Sequence, residues 1–152
     1  MKLDGRIEIA APAQQIWDLI IDPLTLASCV PGVRDVRRVD DRTFEGSITA
    51  SVGPMDGDFT FTSVISRATF PDDLAVDMMG MDSRTKSRLE AAMTASLTEG
   101  PAGVTVLAYR GDVKVKGRLA ILGEMILRAT ASMMIGQVTA CLNTRLETTS
   151  AE

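Results

Sequence analysis

The chain of 152 residues contains no histidine, few aromatic residues (4%) and only two cysteines. Without histidine, a Ser-His or Cys-His nucleophile pair, an imidazole metal ligand and a histidine pH switch are all excluded. The net charge is −4, and the basic residues form only short clusters such as Arg37-Arg38 and 84–88. Nucleic-acid binding normally needs a dense basic stripe or aromatic stacking platforms, so that class of function is excluded as well.

Signals for export, membrane insertion and metal binding are also scarce. Charged residues alternate through the first strand, where a signal peptide would have its apolar core. No apolar run approaches the roughly 20 residues that span a bilayer, so we predict a cytoplasmic protein without a transmembrane segment. Cys29 and Cys141 are expected to be reduced thiols, because a disulfide requires the late helix to pass the early loop. The carboxylates lie in turns or on a wet strand face, and no metal site is predicted.

The residues that are present predict one domain with alternating elements. Hydrophobic residues make up 45% of the chain, which is enough for a real core at this length. The pattern predicts a first strand over 3–9, two short helices over 13–21 and 23–28, and a long helix over 118–145. Between the helices it predicts strands at 33–40, 43–53, 56–70, 74–82, 84–98 and 103–116. We therefore expect a single domain over 1–146 and a polar C-terminal tail over 147–152.

The order of elements predicts an α+β fold of the helix-grip type. A curled antiparallel sheet of about seven strands would wrap around the long C-terminal helix, with two short helices after the first strand. The helix stripe expected to face the sheet is Leu119, Leu122, Ile126, Ala129, Met133 and Ala140. Small residues and methionines fill this face in place of aromatics, which favours an apolar cavity, although small domains usually fill their interiors.

Four segments in the right order make the chain similar to a known family. They are Pro12–Asp18, Asp22-Pro23 to Cys29-Val30-Pro31-Gly32, Val52-Gly53-Pro54, and 117–123. The chain resembles the CoxG family of carbon monoxide dehydrogenase subunits, which lies within the START-like (SRPBCC) helix-grip superfamily, birch-pollen-allergen-like in fold. The resemblance implies a non-catalytic accessory protein of a molybdenum hydroxylase of the carbon monoxide dehydrogenase type. Such a protein would hold a lipophilic, quinone-like ligand and recruit the enzyme to its electron acceptor at the membrane, with peripheral membrane contact.

A set of inward-facing residues is the candidate ligand site. We expect the lining to be Phe59, Phe61, Met79, Met93, Leu107, Tyr109, Leu122, Ile126, Met133 and Gln137. Unbranched methionines such as those in 78–81 adapt to ligands of varied shape, and strand alternation puts Met79 and Met78 on opposite faces. The hydroxyl of Tyr109, with Gln137 and Thr130, could bind a carbonyl ligand such as a quinone, or Tyr109 and Gln137 could satisfy each other.

Two further groups of residues are candidates for a gate and for a partner surface. The turn Cys29, Val30, Pro31 and Gly32 follows the short helices, where it could gate the cavity or serve only as a structural turn. The helix stripe Ile121, Ile135, Leu142 and Leu146 is expected to face water. Such a stripe could contact the dehydrogenase, a second copy as a homodimer, or the membrane interface, although scattered exposed apolar residues are common.

Three hypotheses about function follow. The first is the binding protein just described, with no cofactor beyond a bound quinone or other apolar ligand. The second is an enzyme similar to polyketide cyclases or dehydrases, which share the helix-grip fold and need acids and bases inside the cavity. The third is an interaction module with a filled core that acts only through its surface.

Overall fold

Seven antiparallel strands and three α-helices form the described part of the chain, which in this computed structural model is residues 1–82 and 84–150, with side chains to residue 146. The elements in chain order are β1 (Lys2–Ile9), α1 (Ala13–Ile20), α2 (Pro23–Ala27), β2 (Val33–Arg38), β3 (Thr43–Val52), β4 (Met55–Thr69), β5 (Asp73–Asp82), β6 (Ser87–Glu99), β7 (Thr105–Lys116) and α3 (Glu124–Ser150). Short 3₁₀ helices lie at Pro101–Gly103 and Arg118–Leu122.

One continuous sheet contains all seven strands in the order β1-β7-β6-β5-β4-β3-β2. Strands β2 to β7 therefore follow one another as a meander, and β1 closes the far edge by pairing with β7. The two short helices lie between β1 and β2, as predicted, and Asp22 caps the second one by accepting a hydrogen bond from the Leu24 N–H at 3.2 Å. The helix-grip fold expected from the order of elements is confirmed.

The long helix begins six residues later than the sequence pattern predicts. Gly117 and Gly123 both have left-handed backbone conformations, with φ of 90° and 89°, and the 3₁₀ helix lies between them. A side chain at Gly117 would collide with the Lys86 carbonyl group, so only glycine fits this close approach. The α-helix proper starts at Glu124.

A buried hydrogen-bond network fixes the 3₁₀ helix to the sheet. The Asp82 side chain is 2% exposed and accepts hydrogen bonds from the Arg84 N–H at 3.0 Å and the Thr85 hydroxyl at 2.9 Å. The Thr85 and Ser87 hydroxyl oxygens are hydrogen-bonded at 2.8 Å, and Ser87 Oγ accepts from the Leu119 N–H at 3.1 Å. Since Leu119 is buried, this network positions the segment that leads into α3.

A disulfide joins Cys29 to Cys141, so the expectation of two reduced thiols is wrong for this structure. The two residues are 112 positions apart in the sequence, and their Cα atoms are 5.5 Å apart. Helix α3 crosses the turn after α2 at this point, which is the geometry that the sequence could not establish. The cross-link attaches the C-terminal part of α3 to the turn 29–32, here called the mouth turn.

Helix α3 is longer and less buried than the core helix of a filled domain. Residues Glu124–Leu146 have a window of 18 residues with a mean hydropathy of 1.3, of which 6% is buried. By length and composition alone such a helix could cross a membrane, and core helices of soluble proteins meet the same criterion. The helix continues through Ser150, where a polar tail was predicted from residue 147, and residues 151–152 of that tail lie outside the described residues.

The Asp82 network generates a stability prediction. Burial raises the pKa of the Asp82 carboxyl, but hydrogen bonds from Arg84, Thr85 and Asp58 outweigh burial, and the pKa lies below its ordinary value. The carboxylate therefore stabilises the fold above the unfolded-state pKa of about 4, and this contribution is lost as the pH falls through the folded-state pKa. We expect Asp82→Asn to lower the free energy of unfolding by about 1–3 kcal/mol at pH 7.

Urea unfolding of both proteins between pH 7 and pH 3 measures this effect. The difference between wild type and Asp82→Asn should shrink as the pH falls below about 4, because Asp82 of the unfolded chain takes up a proton there while the folded carboxylate stays ionised down to its lower pKa. The exposed turn variant Asp41→Asn is the control and should match wild type throughout. A difference that stays constant with pH would contradict the proposed role of the ionised carboxylate.

The disulfide generates a second stability prediction. Without reductant, the free energy of unfolding of Cys141→Ser should be roughly 2–5 kcal/mol lower than that of wild type, because a cross-link that closes a long loop restricts the unfolded chain. Thermal unfolding with and without dithiothreitol measures the effect, and mass spectrometry after thiol alkylation counts the free cysteines. The double variant with serine at both positions should be insensitive to the reductant. Equal stability of oxidised wild type and Cys141→Ser would contradict the prediction.

Candidate ligand-binding groove

Two separate apolar clusters lie at the two ends of α3. The larger one, here called the disulfide-end cluster, contains Ile9, Ala11, Ala13, Ile16, Trp17, Ile20, Cys29, Phe44, Ile65, Leu74, Leu97, Leu107, Leu142 and Leu146. The smaller one, here called the glycine-end cluster, contains Val52, Phe59 and Leu119, with Leu122, Ile126 and Leu127 packed against it. The helix is therefore held at both ends by different groups of residues.

The middle of α3 contains no buried residue among the described side chains. From Thr130 to Gln137 every position is half-buried or exposed. Ala131 and Met134 lie between Leu127 and Val138 at helical spacing, so they share the face that packs on the two clusters at its ends. The concave face of the sheet opposite is also half-buried, at Phe61, Met78, Met93 and Tyr109. From these two half-buried faces we infer an apolar groove between helix and sheet, in the stretch between the two clusters.

Glycines keep this groove open, because large side chains lie across them. Gly5 pairs with Tyr109, Gly46 with Phe61, and Gly111 with Met93, in each case directly across neighbouring strands. A Cβ atom at Gly5 would lie 2.6 Å from Tyr109 Cζ, one at Gly46 2.8 Å from Phe61 Cζ, and one at Gly111 2.9 Å from Met93 Cε. All three distances are too short for a real contact. The large side chains thus lie flat on the sheet instead of standing up toward α3.

The groove contains little polar chemistry. Tyr109 is the one ionisable side chain that the described strands turn inward between the two clusters, and the Ser63 hydroxyl shares this face because Ser63 pairs with the inward Phe44. No group of three or more Asp, Glu or Cys side chains among the described residues could hold a metal ion. The groove therefore offers an apolar surface with two hydroxyl groups.

The structure divides the predicted lining residues into three groups. Phe61, Met93 and Tyr109 lie on the half-buried inner face. Phe59 and Leu107 are buried within the two clusters, while Leu122 and Ile126 pack at the glycine end. The third group, Met79, Met133 and Gln137, faces outward, so their assignment to the lining is wrong.

The three outward residues have two physical explanations. In β5, Gly80 pairs with Leu89 and Met78 with Ala91, which puts the even-numbered residues inward and leaves Met79 50% exposed. In α3, the apolar residues are spread around the helix and mark no single inner face, and Met133 lies on an outer side at 54% exposure. Gln137 is exposed as well.

The same two causes explain which groove residues the sequence reasoning missed. Met78 and Ser63 follow from strand parity once the register to β6 and β3 is known. Ala131, Met134 and Val138 were missed because the apolar residues of α3 are spread around the helix and leave no stripe that marks the inner face. The sequence shows that residues of β5 alternate between two faces, but it does not show which of the two faces points inward.

The predicted partner stripe does not form one exposed surface. Leu142 and Leu146 are 2% and 3% exposed and belong to the disulfide-end cluster, and Ile135 is half-buried. Only Ile121 faces solvent, at 83% exposure. The prediction of a water-facing stripe is wrong, because the inner side of α3 includes Leu142 and Leu146.

The predicted mouth turn has the expected geometry. Gly32 has φ of 83°, and the Val33 N–H donates to the Val30 carbonyl at 3.4 Å, as a type II turn with Pro31-Gly32 requires. Cys29 is buried and bonded to α3, while Pro31 and Gly32 are exposed. The turn is therefore the point at which the short helices, β2 and α3 are joined.

Two surface grooves accompany the inner face. One of about 340 Å³ opens beside the start of α3 and is lined by Met1, Val113, Lys114, Val115, Lys116, Ala120, Glu124 and Leu127. The other, of about 540 Å³, is polar and is lined by residues of β1, β6 and β7 and the turn before β5, with none from α3. The second groove is therefore not the apolar cavity that the sequence predicts.

The model of the CoxG family of carbon monoxide dehydrogenase subunits matches residues 5–147. The chain belongs to this family. The match spans β1 through α3 and so includes both clusters and the groove between them. No curated protein matches the chain.

Solved structures confirm the START-like fold of this CoxG-family chain. A conserved protein from Geobacillus kaustophilus has a TM-score of 0.90 at 17% identity, covering 97% of this chain and 96% of its own. A START superfamily protein from Mycobacterium smegmatis has a TM-score of 0.67 at 15% identity, with 97% of each chain covered. The Zhui aromatase/cyclase from Streptomyces sp. R1128 has a TM-score of 0.70 at 13% identity, covering 97% of this chain and 93% of its own. At these identities the likeness shows the fold alone.

The helix phase can be tested with two arginine substitutions. Leu142→Arg should destabilise the fold by at least the roughly 2–5 kcal/mol of a buried leucine truncation, because it also buries an unpaired charge. Met133→Arg, on the opposite side of the same helix, should change the free energy of unfolding by less than about 0.5 kcal/mol. Urea unfolding of both variants measures the difference. A large loss for Met133→Arg and a small one for Leu142→Arg would restore the phase that the sequence predicts.

Proposed function

We propose that this chain binds a lipophilic, quinone-like molecule in the groove between α3 and the sheet, and serves as a non-catalytic accessory protein of a carbon monoxide dehydrogenase-type molybdenum hydroxylase. Membership of the CoxG family supports an accessory role related to carbon monoxide dehydrogenase. The START-like fold supports binding of a ligand under the long helix. The ligand, the partner enzyme and the cytoplasmic location remain predictions.

The observation that carries the proposal is the half-buried middle of α3 opposite a half-buried apolar sheet face. Protein interiors are normally close-packed, whereas here the residues between the two buried clusters are only half-buried on both faces. Exposed apolar surface on both walls lowers its free energy when an apolar molecule covers it. The shape of the groove, a flat sheet face beneath a helix, suits a planar or elongated molecule.

The side chains of the groove match the chemistry of a quinone. Flat rings pack well on Phe61 and Tyr109, and the flexible side chains of Met78, Met93 and Met134 adapt to a ring with substituents. The hydroxyls of Tyr109 and Ser63 can donate hydrogen bonds to carbonyl oxygens, which gives the ligand an orientation. An aliphatic tail would extend along the groove toward one of its ends.

The alternative of a cyclase-like enzyme rests on the fold alone. Such catalysis uses acids and bases placed inside the cavity to move protons on the substrate. Tyr109 is the one ionisable side chain on the described inner face between the clusters, so the groove lacks the pair of acid and base groups that such catalysis uses. The groove is therefore better suited to holding a ligand than to transforming it.

Adjacent methionines on opposite faces of β5 provide a matched test. Met78→Trp places a bulky ring in the groove, whereas Met79→Trp places the same ring on the exposed outer face. With decylubiquinone as the probe, Met78→Trp should raise Kd at least tenfold, and Met79→Trp should leave it within about twofold. Circular dichroism and thermal unfolding of both variants show whether the fold is retained.

Native mass spectrometry and organic extraction of freshly purified protein complement the titration. An apolar molecule should leave the protein with the organic phase and be reduced in amount in Met78→Trp. A wild-type protein that is always empty and does not bind added quinones would contradict the proposal. Equal loss of binding in both tryptophan variants would place the ligand elsewhere.

A further inference from the structure

The outer edge of β1 is a free sheet edge with a regular backbone. The N-terminal amine and the carbonyl group of Met1 form hydrogen bonds of 2.7 Å with Val113, and the register to β7 continues without a shift through Ile9. In an antiparallel pair alternate residues form these bonds, so the odd-numbered residues of β1 bond to β7. The N–H and C=O groups of its even-numbered residues therefore point away from the sheet.

These outward backbone groups have few partners in the described part of the chain. Nη1 of Arg128 donates to the Lys2 carbonyl at 3.0 Å. No described residue bonds to the outward backbone groups of Asp4, Arg6 and Glu8, and the side chains of these three are exposed. A free edge of this kind is a template for pairing with another strand.

The opposite edge of the sheet, β2, is poorly suited to such pairing. Its register to β3 shifts between Arg34 and Arg37, and Asp35 has a left-handed backbone with φ of 57°. Irregular backbone and charges of one sign are common protections of an edge strand. β1 has neither, because its register is unbroken and its charges alternate in sign along the strand.

The charges of β1 are self-complementary in one antiparallel register. Two copies of β1 can pair about Gly5. Lys2 of one copy then lies opposite Glu8 of the other, and by the same register Asp4 lies opposite Arg6. These are the residues whose backbone groups point outward, so each pair also exchanges two backbone hydrogen bonds. Opposite charges directly across two strands stabilise the pairing.

The neighbouring registers bring like charges together. A slip of two residues in one direction places Lys2 opposite Arg6 and Asp4 opposite its own equivalent. The opposite slip places Asp4 opposite Glu8 and Arg6 opposite its own equivalent. A slip of one residue sets inner-face residues against outer-face residues. The pattern therefore favours the register about Gly5.

We propose that β1 pairs with β1 of a second copy, which joins the two sheets about a twofold axis at Gly5. Glycine suits this position, because no side chain separates the two backbones there. On the inner face the half-buried Leu3 of each copy lies beside the half-buried Ile7 of the other. Pairing transfers the Lys2 carbonyl from Arg128 to the second copy. The proposal concerns the sheet edge and does not depend on a ligand in the groove.

Charge reversal tests the pairing. Sedimentation equilibrium of the full chain should show a monomer–dimer equilibrium with a Kd below about 100 μM. Arg6→Asp sets like charges opposite each other twice, because of the twofold symmetry, and should raise Kd at least tenfold. Asp4→Arg should do the same. Arg88→Asp makes an equal charge change on the exposed face of β6 and should leave Kd within about twofold.

A mixture of the two reversed variants separates charge pairing from damage to the fold. Neither Arg6→Asp nor Asp4→Arg should pair with itself, but an equimolar mixture should form a mixed dimer, because opposite charges face each other again. Circular dichroism of each variant shows whether the fold is retained. A wild-type chain that is monomeric at about 1 mM overturns the proposal, as does a mixture of folded variants that stays monomeric.

Hydrogen exchange followed by NMR identifies the surface. The N–H groups of Asp4, Arg6 and Glu8 should exchange at least tenfold more slowly in the dimer than in the monomer. Those of Gly5 and Ile7, which bond to β7, should be protected in both. A wild-type dimer in which the three outward N–H groups exchange as fast as in the monomer would use another surface and would also overturn the proposal.

Discussion

The attachment of α3 by buried residues at both of its ends is the constraint on which the groove depends. At one end the disulfide to Cys29 and the buried side chains of Leu142 and Leu146 attach the helix to the larger cluster. At the other end, Leu119 is held by Ser87, and Gly123 allows the chain to turn into the helix at an angle that a continuous helix could not reach. With its ends fixed in this way, the helix spans the concave face, and the residues in its middle are half-buried or exposed.

The fold could be predicted from the sequence because local signals and global order agree. Alternation identified the inner faces of β3, β4, β6 and β7, and Asp22, Pro31 and Gly32 occupy the capping and turn positions that their chemistry favours. Each of these signals depends on neighbours within a few residues. They determine which elements form and in what order, and for a meander with one long helix that order leaves few topologies.

The candidate site was harder to predict, because it depends on two choices that local pattern does not make. Methionines occupy both faces of β5 at Met78 and Met79, so hydrophobicity cannot show which face is inward, and only pairing with β6 decides. The apolar residues of α3 are spread around the helix instead of forming one stripe, so hydrophobicity alone does not show which side faces the sheet. A stripe extended from Leu119 and Leu122 therefore put Met133 in the interior and Leu142 at the surface.

The scarcity of aromatic residues acquires a geometric meaning in the structure. A curled sheet under a long helix has a wide interior, and filling it would require large side chains directed upward from the strands. Two of the aromatic residues on the inner face, Phe61 and Tyr109, lie flat on glycines of the neighbouring strands, as Met93 does. Composition and register therefore act together. The chain has few bulky residues to fill the interior, and the glycines paired with Phe61, Met93 and Tyr109 let these side chains lie against the sheet.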